Sequence, residues 1–171
     1  MSNFTELKIA KELISFPSIT PKDAGAINYL AKKLKPLGFK CTILKFKDKK
    51  SAPIKNLYAR LGNKQPNICY AGHTDVVPPG NIKEWTVNPF KPKIINNHLV
   101  GRGANDMKSS IACFISAIEK FLKTKSKFNG SISLFSLEYD SKMNLSLSVN
   151  HPQLTESEST PVNRRTLSLD S

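Results

Sequence analysis

The stretch Cys69-Tyr70-Ala71-Gly72-His73-Thr74-Asp75-Val76-Val77-Pro78 decides how this chain is read. An apolar run stops at a glycine, and a histidine and an aspartate follow with one residue between them. In extended backbone that spacing puts both side chains on one side of the chain. A neutral imidazole is a good ligand for a divalent ion, and a carboxylate on its other nitrogen fixes the tautomer and the ring direction. His-x-Asp alone is common, and a hydrogen-bonded surface histidine is the plainer reading of it.

A second stretch, Gly101-Arg102-Gly103-Ala104-Asn105-Asp106-Met107-Lys108, places a carboxylate at a strand-to-helix turn. Asp106 reads either as the N-cap of the helix that follows or as a metal ligand on rigid backbone with both oxygens free.

Outward from these two stretches the chain alternates helices and strands. Leu7, Ala10, Leu13 and Ile14 give a helical period over 5–16, which Pro17 ends. Thr20-Pro21-Lys22-Asp23 reads as N-cap, proline at the first helical position and an early acid, so a second helix is expected to bury Ala24, Ile27, Ala31 and Leu34. Strands are expected over 39–46, 56–61, 67–71, 99–100 and 130–137. A helix is expected over 107–122 with Ile111, Phe114, Ile115, Ile118 and Leu122 on one face. The stretch 72–98 reads as one long functional loop. This order fits an α/β layered domain with a mixed sheet.

Composition narrows the class. At 171 residues, 39% hydrophobic and 23% charged, the chain suits a soluble globular protein. No apolar run reaches the roughly 20 residues of a membrane span, and no secretory leader is legible, so a cytoplasmic protein without a membrane partner is expected. The net charge of +13 comes from lysines scattered through the first 127 residues, without a basic stripe interleaved with aromatics. Nucleic acid is therefore not the expected partner. Cys41, Cys69 and Cys113 form no CxxC pair and read as small core residues rather than disulfide or zinc ligands.

Taken together, His73-Thr74-Asp75-Val76-Val77-Pro78-Pro79-Gly80, Trp85, Pro89-Phe90-Lys91-Pro92 and Gly101 to Lys108 resemble the zinc-dependent aminoacylase and carboxypeptidase family. The likeness runs from about Leu7 to Leu134. It implies a three-layer mixed-sheet catalytic domain of a di-zinc exopeptidase, here incomplete. It further implies His73 as a ligand to one zinc, Asp75 as the catalytic carboxylate orienting His73, and Asp106 bridging two ions, zinc or alternatively cobalt. Pro78-Pro79-Gly80 and the Trp85 to Pro92 stretch favour the branch that hydrolyses a succinyl amide of diaminopimelate, a small-molecule substrate, over the acetylornithine branch.

The resemblance also marks where the pattern fails. The family's Asp-Glu-Glu triplet, which holds the general base and a zinc ligand, falls on Tyr139-Asp140-Ser141. Asp140 is one methylene shorter than glutamate, and a serine hydroxyl is a weak zinc ligand. After 141 only Lys142 continues the lysine-rich character, and serine and threonine dominate. Residues 1–141 are thus expected to be the first part of the catalytic domain and 142–171 a divergent, poorly ordered tail. The coincident loss of lysine and of likeness suggests a shifted reading frame near 135–141. By the resemblance, a dimerisation domain, and with it the homodimer interface, is expected to be absent from these residues. His98 and His151 read as surface residues. An inactive chain is expected, with a sheet edge and the apolar face of the 107–122 helix left uncovered.

Overall fold

The structure is a computed structural model that describes residues 5–47, 53–124 and 128–138. Three helices and six strands carry the fold: α1 (Thr5–Ile14), α2 (Ala26–Leu34), β1 (Lys40–Phe46), β2 (Ile54–Leu61), β3 (Asn67–Gly72), β4 (Lys93–Ile95), β5 (His98–Val100), α3 (Ser109–Thr124) and β6 (Ser131–Ser136).

β1, β2, β6 and β3 lie side by side in that order, the first three antiparallel and β3 parallel to β6. Period-two alternation gives the two faces different chemistry. Leu57, Ala59 and Leu134 point to one face and join Ile9, Leu13, Ile27, Leu30, Leu34, Ile111 and Ile115 in a single buried cluster, so all three helices cover that face. On the other face Arg60 Nη2 donates to Ser131 Oγ (2.9 Å), and Asn67 Nδ2 donates to Ser133 Oγ (3.1 Å). Beside them Tyr58 and Phe135 meet edge to face. The α/β mixed-sheet expectation holds, and among the described residues two of the three layers are present.

Several expectations are corrected. α2 begins at Ala26 behind Gly25, not at the Thr20-Pro21 signal, and Ala24 is exposed. Residues 18–20 instead run beside 74–76 as a short parallel bridge, with Thr20 N donating to Val76 O (3.1 Å) and Val76 N to Ser18 O (2.8 Å). A tertiary pairing outcompetes a good local cap. The 72–98 stretch is not all loop: β4 and β5 pair through Asn96 and Asn97, both at positive φ, as a two-residue hairpin turn requires.

Cys69 and Cys113 are exposed rather than core, because their neighbours Tyr70 and Ala112 take the inward positions. The apolar face of α3 is covered by α1, with Ile111, Ile115 and Ile118 buried. Among the described residues β1 and β3 are the edges of the sheet, and on β3 Ile68 is 66% exposed. His98 is exposed, as expected. The expectations for Asp140, Ser141, His151 and the 142–171 tail fall outside the described residues. Among those described, no helix is long and apolar enough to cross a membrane.

Candidate metal centre

β3 delivers the first half of the site. Its last residue, Gly72, is held in the sheet by Leu137 N donating to Gly72 O (2.8 Å). The chain then leaves as His73-Thr74-Asp75 and is gripped from two sides. Ser18 Oγ donates to Thr74 O at 2.6 Å. Opposite, the buried Glu138 carboxyl accepts from the Thr74 amide at 3.0 Å and from the Thr74 hydroxyl. With Thr74 buried and bonded this way, His73 and Asp75 on either side of it are turned toward the cleft.

The turn between β5 and α3 delivers the second half. Gly103 sits at φ 79, and a Cβ there would lie 2.6 Å from Val76 Cγ1, so only glycine lets this turn approach the 74–76 strand. Lys108 anchors the turn: its backbone nitrogen donates to Gly103 O (2.9 Å), and its fully buried ammonium donates to Phe16 O (2.8 Å). Burial pushes that amine down to about 8, against the pull of Glu138 and Asp75. Asp106 therefore projects from a fixed turn, three residues ahead of α3.

The two halves meet at His73. Its Nε2 lies 3.2 Å from Asp106 Oδ1, and its Nδ1 lies 3.0 Å from the Asp75 carbonyl and 3.2 Å from Asp75 Oδ1. Asp75 is itself oriented by Thr20, whose hydroxyl donates to Oδ2 at 2.6 Å. Partial burial opposes the charged imidazole, but the acceptors at Asp75 and Asp106 outweigh it, and the His73 pKa is raised. Both ring nitrogens thus face acceptors, the arrangement an imidazolium satisfies. The Asp106 side chain is 82% exposed and its oxygens are open to a ligand.

These groups line a cleft of about 360 Å³, together with Thr20, Arg102 and Asn105. That is the scale of a small-molecule site. A divalent ion fits the donor set in part: an imidazole whose far nitrogen is tied to a carboxylate, and an exposed carboxylate beside its near nitrogen. Among the described residues no group of three His, Cys, Asp or Glu side chains is placed to hold an ion. Thr20 and Lys108 are the site residues that sequence reasoning missed. Thr20 mimics a helix cap, and Lys108 hides among many surface lysines.

Comparison with known proteins finds relatives for most of the chain. Residues 69–137 match the model of peptidase family M20/M25/M40. The chain is 63% identical over 134 residues to a succinyl-diaminopimelate desuccinylase of Pelagibacter ubique, covering 78% of this chain and 35% of that one. It is 56% identical over 127 residues to the desuccinylase of Wolbachia pipientis subsp. Culex pipiens, covering 74% and 31%. The chain thus spans about a third of the length of these relatives. In three dimensions it superposes on an M20 family metallo-carboxypeptidase of Sulfolobus solfataricus with a TM-score of 0.65 at 29% identity, covering 81% of this chain and 31% of that one. Human carnosine dipeptidase 1 shares the fold at TM-score 0.69 and 22% identity, over 78% and 31%. By sequence, residues 69–137 match peptidase family M20/M25/M40, within a chain similar to about a third of a succinyl-diaminopimelate desuccinylase.

Proposed function

We propose that this chain is part of a zinc-dependent amide hydrolase of the succinyl-diaminopimelate desuccinylase kind, in which His73 and Asp106 hold metal and Asp75 orients His73. The observation that supports it is the convergence of His73 Nε2 and Asp106 Oδ1 at 3.2 Å, with the other imidazole nitrogen tied to Asp75. When bound, the metal pair would polarise the amide carbonyl and supply a nucleophilic hydroxide from water.

The rest is done by the chain's own groups. Thr20 holds Asp75 Oδ2, which leaves Oδ1 for the His73 Nδ1 proton and aims Nε2 into the cleft. Asp106 keeps its oxygens free by standing outside α3. Glu138, pushed up to about 7 by burial, has the pKa of a general base but not the position, being 2% exposed and bonded to Thr74. The family's base position falls on Asp140, outside the described residues, and its carboxylate is one methylene shorter than the glutamate the reaction calls for.

A second reading, a metal-binding remnant without turnover, is favoured by the absence of a third ligand side chain among the described residues. Equilibrium dialysis against zinc, with an assay for succinate released from N-succinyl-diaminopimelate, separates the two. Zinc uptake with hydrolysis supports the enzyme, and zinc uptake without it supports the remnant. Absence of zinc uptake would overturn both.

A further inference from the structure

Arg102 stands in the same cleft as His73, Asp75 and Asp106 and takes no part in the metal chemistry above. It is the one lysine or arginine among the described residues that lines the cleft, and none of the ion pairs among those residues includes it. Its guanidinium is nevertheless held in place. Nη2 donates to Pro78 O at 3.2 Å, and the guanidinium carbon lies 5.1 Å from the centre of the Trp85 ring. Trp85 is pinned in turn by Nε1 donating to Pro79 O at 2.9 Å, and the Arg102 backbone nitrogen donates to Pro89 O at 2.8 Å. Its Nε is buried without a partner.

We propose that Arg102 is the subsite for a free carboxylate of the amide substrate, and this rests on the amide-hydrolase reading above. A guanidinium offers five N–H groups in a fixed plane, and among the described residues only one here has an acceptor. The aromatic face and the Pro78 carbonyl hold that plane without neutralising its charge, so little ordering remains to be done when an anion arrives. A carboxylate takes two parallel N–H bonds from such a fork. Asp75 and Asp106 line the same cleft and repel a carboxylate, which leaves Arg102, the one lining lysine or arginine among the described residues, as the group that attracts it. The carboxylate can belong to the acyl chain or to the amine portion, and the chemistry at Arg102 is the same.

The test uses the full chain in chelator, so that no metal competes for the acid. Trp85, the sole tryptophan, lies under the guanidinium and reports binding by its emission, with ligand-observed NMR as a second readout. Three probes are compared: N-methylsuccinamic acid (acyl-side carboxylate only), N-acetylalanine (amine-side carboxylate only) and the neutral N,N′-dimethylsuccinamide. At least one acid is expected to bind tenfold or more tighter than the neutral diamide, and which acid does so identifies the source. Arg102→Gln should erase the difference, and Arg102→Lys should keep part of it.

Equal binding of all three probes by the unsubstituted chain overturns the proposal and needs no variant to fold. So does an acid preference that survives Arg102→Gln with the wild-type circular dichroism spectrum. Zinc added to the same samples separates the underlying reading. A chain that binds the acid through Arg102 but takes up no zinc would sink the hydrolase reading and leave the subsite standing.

Discussion

His73 Nε2 and Asp106 Oδ1 lie 3.2 Å apart although 33 residues separate them in the chain. A strand end brings one, and a glycine-bounded turn anchored by a buried lysine brings the other. When His73 is protonated, this contact is an ion pair in which the imidazolium donates from both nitrogens. A metal must displace the Nε2 proton to take its place. Because the His73 pKa is raised, zinc affinity should climb about tenfold per pH unit below that pKa and level off above it. Zinc titrations at several pH values check this, and a flat profile would count against His73 as the ligand.

Asp75→Asn should lower zinc affinity about 10- to 100-fold, since an amide can present its NH₂ to the imidazole and turn the ring or its tautomer. The circular dichroism spectrum should stay unchanged. Calorimetry on the folded variant is the check.

Thr20→Val removes the only side-chain donor to Asp75 Oδ2 among the described residues. A hydrogen bond to a charged, largely buried group contributes about 1.5–3 kcal/mol, so unfolding in urea should move by about that amount. Thr20→Ser should restore it. A loss that serine does not repair would mean that the methyl packing matters instead.

These two residues show how much of the site could be read from sequence. The positions of His73, Asp75 and Asp106 at a strand end and a turn were legible from the signals beside them, while their metal roles rest on the family resemblance. The position of Thr20 was not legible. Thr-Pro-Lys-Asp satisfies every local rule for a helix start, and only the pairing of 18–20 with 74–76 reassigns its hydroxyl to Asp75. The Asn96-Asn97 hairpin was available in the sequence as a turn dipeptide, but short strands of three residues give too little alternation to be noticed. Lys108 could not be separated from the other lysines, because nothing local to it shows that Phe16 O waits inside. The strands of the main sheet and α3 were read nearly to their ends, since each repeats its period several times.

Glu138 predicts a pH dependence of stability. Burial raises its pKa from 4.5 to about 7, so the folded chain keeps a proton that the unfolded chain has released. The stability from this group is fully present below about pH 4.5 and is lost as pH rises through about 7, by about 3 kcal/mol at most. Glu138→Gln cannot ionise. It should match the wild type near pH 4.5 and be more stable by about 1–3 kcal/mol at pH 8. Urea midpoints at the two pH values check this, and a variant weaker at both would contradict it.

The exposed face of β3 predicts self-association. Ile68 is 66% exposed on a strand that, among the described residues, is an edge of the sheet, and so offers apolar surface and edge backbone to a neighbouring molecule. Ile68→Lys should reduce light scattering at a given concentration and change stability by no more than about 0.5 kcal/mol. Unaltered scattering would place the contact elsewhere.

His73 and Asp106 together are proposed to hold a divalent ion. Calorimetric titration of zinc into the full chain, beside His73→Ala and Asp106→Ala, tests it most directly. Saturable uptake by the wild type and at least tenfold weaker binding by each folded variant are expected. Uptake by both variants with wild-type affinity, or no uptake by the wild type, would contradict it.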